Sequence, residues 1–240
     1  MKSIDSYLSQ ITNKKLLVVF PHPDDESVMA GGIIQRAMTH GFQVTVLTLT
    51  EGDRGKIHIS GKGRSVAEIR RQEMALAMSR LGVMDWIMWR FDDGKLRQKN
   101  VWRDRLKNFI SDTKPGLIVT YDLSGVTSHP DHISASLEVL REVKRGGTAK
   151  LLWVSFEGFM KDRIVDKRVL SYLKSPKYSL RLSRRDAAKK WRAVFAHKSQ
   201  GLGGFLGFPW WMLMFVARHE WYSEFEPDAK YKYKFVPFKI

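Results

Sequence analysis

Five short apolar runs punctuate the first two-thirds of the chain: LLVVF (16–20), VTVLTL (44–49), WIMWRF (86–91), LIVTY (117–121) and LLWVSF (151–156). Each is rich in β-branched or aromatic residues and too short for a helix, which predicts buried strands. Between them, helical spacing runs near 28–40, 65–81, 101–112 and 131–145. In the second of these, Val66, Ile69, Glu73, Ala77 and Leu81 recur at i, i+3 or i+4, and Gly82 closes the helix. Strand–helix alternation of this kind predicts an α/β fold: a Rossmann-like, mostly parallel sheet with helices on both faces. After residue 157 the rhythm fails. A helix at 183–197 and an aromatic tail then read as a C-terminal extension packed on the sheet. No internal repeat or low-complexity linker interrupts the chain, so a single domain over 1–240 is expected. Its motif-bearing core is 15–145 and its basic, aromatic extension 157–240.

The polar clusters fall in register with this frame. PHPDDE (21–26), TEGDRG (50–55), DDG (92–94) and HPDH (129–132) each follow an apolar run, beyond the carboxyl end of a strand. Open α/β sheets bind ligands on that side. With the five strands in the doubly wound order 3-2-1-4-5, the first and fourth are neighbours. PHPDDE and HPDH then face one another across a single crevice.

Composition narrows the chemistry. The 240 residues are 43% hydrophobic and 28% charged, which excludes a disordered or fibrous chain. There is no cysteine, so thiolate zinc sites, iron–sulfur clusters and cysteine nucleophiles are excluded. Histidine and carboxylate are the metal ligands left. The absence of cysteine fits a reducing compartment, and the first apolar run is too short for a signal peptide, so a cytoplasmic protein is expected. The net charge is +16, and residues 161–198 alone carry 13 basic against 3 acidic residues. Such a block suits an anionic partner or simply a solvated face. The uncharged stretch 201–217 is broken by four glycines and Pro209, and is expected to be a core segment or a loop over the substrate. Its aromatic residues, beside the basic block, leave a peripheral membrane contact open.

No G-x-G-x-x-G or Walker A pattern stands in usable context. The first loop instead offers His22, Asp24, Asp25 and Glu26. His22 and Asp25, three apart in a turn stiffened by Pro21 and Pro23, can reach one ion, and HPDH supplies His129 or His132 as a third ligand. Two histidines and one aspartate on zinc leave a coordination position for water, the catalytic rather than the structural pattern. Iron(II) suits the same donor set. A spare carboxylate beside the ion makes a general base, and a spare histidine an acid or oxyanion donor.

In this order PHPDDE, LTEGDRG, RRQE, DDG and HPDH resemble the PIG-L/LmbE-like zinc-dependent de-N-acetylases, over roughly 15–145, with a weaker echo in AHKSQ (196–200). The resemblance implies removal of the acetyl group from an N-acetylglucosamine-type substrate. It implies that His22, Asp25 and His132 hold zinc and that Asp24 is the general base. His129 would stabilise the oxyanion and protonate the leaving amine, with Asp131 orienting it. Arg70, Asp93 and Glu51 match substrate-binding positions, although the loop reads E-G-D-R-G where the family has G-E-x-G. Proline replaces the usual alanine before His22. His197 is a secondary candidate for substrate contact, and His219, Trp210 and Trp211 weaker ones. The expected partner is a small-molecule or glycolipid sugar, anionic if the basic block takes part; self-association is compatible, and no nucleic-acid signature is present. Two alternatives compete: a metal-dependent hydratase or lyase on a small unsaturated acid, and a basic protein binding a membrane or nucleic-acid surface.

Overall fold

Every one of the five apolar runs forms a strand, and the four clearest helical patterns form helices between them. The computed structural model describes residues 1–60, 63–146, 148–202 and 217–227. In chain order the elements are β1 (Lys2–Ser3), α1 (Ile4–Gln10), β2 (Lys15–Phe20), α2 (Asp25–Thr39), β3 (Gln43–Thr50) and α3 (Val66–Leu81). They continue with β4 (Asp85–Phe91), α4 (Val101–Thr113), β5 (Leu117–Tyr121), the single turn α5 (Gly125–Ser128) and α6 (Pro130–Lys144). The last are β6 (Lys150–Ser155), α7 (Gly158–Ile164), β7 (Tyr178–Arg181), α8 (Arg184–Val194) and β8 (His219–Glu224).

The eight strands among the described residues share one sheet in the order β1-β7-β8-β6-β5-β2-β3-β4. The five predicted strands are parallel and stand in the predicted 3-2-1-4-5 order, with Leu16 opposite both Val44 and Leu117. Alternation along β2 explains its uninterrupted apolar sequence. Leu16, Val18 and Phe20 join the core under α1, α2, α3 and α8, while Leu17 and Val19 join the core under α4 and α6. Each is 1% exposed or less, and full burial of such a side chain contributes roughly 1.5–3 kcal/mol.

Local signals end the helices as expected. Ser65 and Glu68 form a reciprocal capping box on α3, and Gly82 takes the left-handed conformation at its end. Helix α2 begins at Asp25, three residues before the expected start, so Asp25 and Glu26 lie in its first turn.

The C-terminal third departs from expectation. It is not merely packed on the sheet: β7 and β8 extend it, β8 antiparallel to β6, and β1 pairs with β7 at the edge. Helix α8 ends at Val194 rather than 197. The strands escaped prediction because YSLR is only four residues long and HEWYSE reads as polar. Residues 203–216, with Trp210, Trp211 and most of the uncharged stretch, lie outside the described residues. Among the described residues no helix is long and apolar enough to cross a membrane.

Candidate active site

Strands β2 and β5 are neighbours from which the chain departs in opposite directions, so the loops after them open onto one crevice. Each loop leads at once into a helix. PHPDDE turns into α2, and HPDH is itself the start of α6, with His129 as cap and Pro130 in the first turn. The backbone between is forced into unusual shapes. Asp24 has φ +115°, Val126 φ +60° and Ser128 φ +59°. Such conformations cost on the order of 1–3 kcal/mol each and persist only where surrounding contacts impose them.

Three lone pairs converge in the crevice. His22 Nδ1 lies 3.2 Å from His132 Nε2, and Asp25 Oδ2 is 3.7 Å from both ring nitrogens. A tetrahedral ion with bonds of about 2.0–2.1 Å spreads its ligand atoms about 3.4 Å apart. The donor types and spacing therefore fit a metal ion. The atoms behind them fix the lone pairs. His132 Nδ1 donates to the Gly125 carbonyl at 3.0 Å, which leaves Nε2 bare. Tyr121 donates its hydroxyl to Asp25 Oδ1 at 2.5 Å and stacks on the His132 ring at 4.2 Å. His22 Nε2 stands 3.1 Å from Asp93 Oδ1 and 3.4 Å from Asp131 Oδ2. His129 completes a cluster in which His22, His129 and His132 each bring a ring nitrogen within 4.8 Å of the others.

The electrostatics show a site in need of positive charge. Burial works against protonation of His22, yet the carboxylates of Asp131, Asp93 and Asp25 raise it to about 10. Burial and the adjacent Asp24 carboxylate push Asp25 up to about 7. Asp24 is also raised by burial, against the pull of His197 and Arg70. Asp93 falls to about 2 despite burial, held by His22 and the Arg54 backbone N–H. Burial and the charge of His22 lower both His129 and His132.

Seven of the nine expected residues meet around this crevice: His22, Asp24, Asp25, Asp93, His129, Asp131 and His132. Arg70 closes it from one side. It is 4% exposed, lies so tightly over Gly52 and Gly55 that a Cβ at either would overlap its guanidinium, and donates to Gln200. Glu51 is not brought in. Its carboxylate is turned toward Arg71 and Arg90, because the loop reads E-G-D-R-G and the shifted glycines put Gly52 and Gly55 against Arg70 instead. The carboxylate of Asp131 also serves a different purpose from the expected one. It accepts the N–H groups of Gly94 and Leu96 at 2.7 and 3.0 Å, and His129 is oriented by the Asp131 backbone N–H, donated to Nδ1 at 3.2 Å. His219 is exposed and stacks on Trp221, away from this group.

Tyr121 was not anticipated. Its signal was a tyrosine at the last position of a wholly buried strand, where the hydroxyl must find a partner. His197 is fully enclosed, with Nε2 3.1 Å from Glu26 Oε1, so it stands behind the loop rather than on the crevice.

Residues 17–142 match the model of the family described as PIG-L: GlcNAc-PI de-N-acetylase. The chain belongs to the PIG-L family. A 1D-myo-inositol 2-acetamido-2-deoxy-alpha-D-glucopyranoside deacetylase of Geodermatophilus obscurus is 31% identical over 159 residues, 55% of this chain and 53% of that protein. A probable N-acetyl-alpha-D-glucosaminyl L-malate deacetylase 2 of Bacillus cereus is 34% identical over 138 residues, 55% of this chain and 62% of that one. The chain thus spans little more than half the length of these PIG-L-type relatives. The solved N,N'-diacetylchitobiose deacetylase of Pyrococcus horikoshii superposes with a TM-score of 0.68 at 19% identity, covering 91% of this chain and 88% of that one. That likeness extends the shared fold across the C-terminal third, beyond the reach of the PIG-L match.

Proposed function

We propose that the protein is a zinc-dependent hydrolase that removes the acetyl group from an N-acetylglucosamine-type small molecule. The observation that carries this reading is the convergence of His22 Nδ1, His132 Nε2 and Asp25 Oδ2 beside a carboxylate, Asp24, raised by burial. The relatives support it, since both are named for deacetylating a glucosaminyl compound.

His22, Asp25 and His132 would hold the ion, which when bound would supply Lewis acidity toward water and the acetamide carbonyl. Asp24 takes the proton of the attacking water; a carboxyl lifted toward neutrality suits a general base. His129 accepts the Asp131 N–H on Nδ1, so its own proton sits on Nε2 as a donor for the developing oxyanion. A neutral imidazole gives up no proton near pH 7, so the leaving amine takes its proton from the Asp24 carboxyl. The C–N bond breaks as that proton arrives, releasing acetate and the free amine. Asp131 braces the loop after β4 and carries His129, while Arg70 and Asp93 form the polar wall toward the sugar.

Acetate release by zinc-loaded protein on free N-acetylglucosamine and its chitobiose, inositol, malate and lipid-linked forms tests the reading. Asp24→Ala should lower kcat by about 10²–10⁴-fold while zinc remains bound. A fully active variant overturns the mechanism. Turnover of an unsaturated acid without acetate release overturns the reaction. Reconstitution with iron(II) in place of zinc checks the metal.

A further inference from the structure

Residues 197–200 lie outside the family match and grip the site at three points. His197 Nε2 stands 3.1 Å from Glu26 Oε1, which also accepts from Ser27 Oγ at 2.6 Å. The other oxygen of Glu26 accepts the backbone N–H of Asp24 at 3.0 Å. Ser199 donates its N–H and its hydroxyl to the two oxygens of Glu73 on α3, at 2.7 and 2.6 Å. Gln200 accepts from Arg70 Nη2 and donates its amide to Ser199 Oγ at 2.8 Å.

These contacts fall on the N–H of Asp24, whose carbonyl is held separately by the N–H groups of Ser27 and Val28 at 3.1 and 3.0 Å, and on the guanidinium of Arg70. Asp24 has φ +115°, a conformation at home in glycine and strained in an L-residue. The Glu26 carboxylate is the acceptor its N–H meets there, and Glu26 is fully buried, so its charge needs the surrounding donors. The Arg70 guanidinium crosses two glycines that offer it no side chain, and among the described residues its buried Nε has no hydrogen-bond partner. Gln200 is the side-chain acceptor given to its fork.

We propose that residues 197–200 form a positioning clamp: Gln200 aims Arg70 at the substrate, and His197, through Glu26, holds the Asp24 backbone in its left-handed conformation. The kinetic consequences rest on the deacetylase reading; the backbone consequences do not. His197 and Gln200 are positioning residues, since each acts through another side chain.

The test uses the full metal-loaded chain with His197→Ala, His197→Gln, Gln200→Ala and Gln200→Glu. Glutamine carries an N–H to roughly the place of His Nε2, and glutamate keeps an oxygen for Arg70. His197→Ala should lower kcat about tenfold or more with KM nearly unchanged, and Gln200→Ala should raise KM by about as much with kcat nearly unchanged. The two conservative variants should recover most of each loss. Hydrogen exchange supplies a readout independent of substrate. In His197→Ala, exchange should quicken in 20–28, and in Gln200→Ala in 50–57, while 101–113 keeps wild-type protection. Unchanged exchange in those loops, or a rise spread equally to 101–113, overturns the clamp. Localised exchange changes in a protein that releases no acetate would uphold the clamp and overturn the deacetylase reading instead.

Discussion

Two regions of this protein bury acidic side chains, and they do so on opposite terms. Behind α2, Glu220 of β8 accepts the N–H groups of Gly32 and Ile33 at 2.6 and 2.9 Å, Lys190 Nζ at 2.6 Å and the Tyr222 hydroxyl at 2.5 Å. Its charge is matched by a lysine equally removed from water. In the crevice, Asp25, Asp93 and Asp131 crowd around His22, and three lone pairs point at one place. A carboxylate with a full set of donors holds a fold together. Carboxylates and imidazoles short of positive charge make a place for a cation. Burial alone does not distinguish structure from function; the completeness of the partners does.

That contrast can be broken most forcefully at Glu220. Glu220→Ala leaves Lys190 charged and buried without its carboxylate, and should cost about 3–5 kcal/mol in urea denaturation. Lys190→Met leaves Glu220 three donors and should cost less. Equal losses would mean that the backbone donors of α2 contribute nothing.

In the crevice the same logic predicts stabilisation by an added ion. Zinc at about a hundred times its dissociation constant should contribute roughly 2.7 kcal/mol. For a chain of this size that raises Tm by roughly 5–11 °C. Asp25→Ala should abolish the zinc dependence. A wild-type Tm indifferent to zinc and other divalent ions would refute the cation-deficient reading of the site.

Asp122, just beyond β5, sharpens the comparison from between the extremes. It accepts the N–H of Ser124 at 3.0 Å, the Ser124 hydroxyl and the N–H of Lys174 at 2.8 Å, yet burial still lifts it to about 6. Between pH 4 and 6 the unfolded chain gives up this proton first. The folded state binds more protons there, so this group makes stability fall as pH rises, by on the order of 2–3 kcal/mol. Asp122→Asn should flatten that slope in denaturation curves across the interval. An unchanged slope would show that hydrogen bonding alone keeps the carboxylate ionised.

The smallest effect is at Gly32. A Cβ there would stand 2.6 Å from the Glu220 carboxyl carbon, so Gly32→Ala should destabilise by about 1–2 kcal/mol despite the better helix propensity of alanine. A stabilised variant would show that Glu220 has room to withdraw from α2.

Much of this was legible along the chain, for a local reason. Leu16 to Phe20 carries an apolar side chain at every position because β2 is covered on both faces, and that pattern survives in the sequence. His22, Asp25, His129 and His132 were readable because two helix starts follow neighbouring strands in a fixed order. Glu51 misled because the glycines stand two residues later than in G-E-x-G and its carboxylate meets Arg71 instead, and no periodic pattern marks such a shift. Asp131 misled differently: its type and position were right, but its carboxylate is taken by two N–H groups of the loop after β4.

What the sequence determined by itself was therefore what near neighbours along the chain dictate: five strands, the helices between them, and polar clusters at the strands' carboxyl ends. What only the tertiary structure decided were pairings across large separations. Glu220 meets Gly32, Tyr121 meets Asp25, His197 meets Glu26, and β8 enters the sheet antiparallel beside β6. A buried polar side chain takes its meaning from the donor or acceptor that folding brings to it. That partner leaves no periodic trace in the residues on either side.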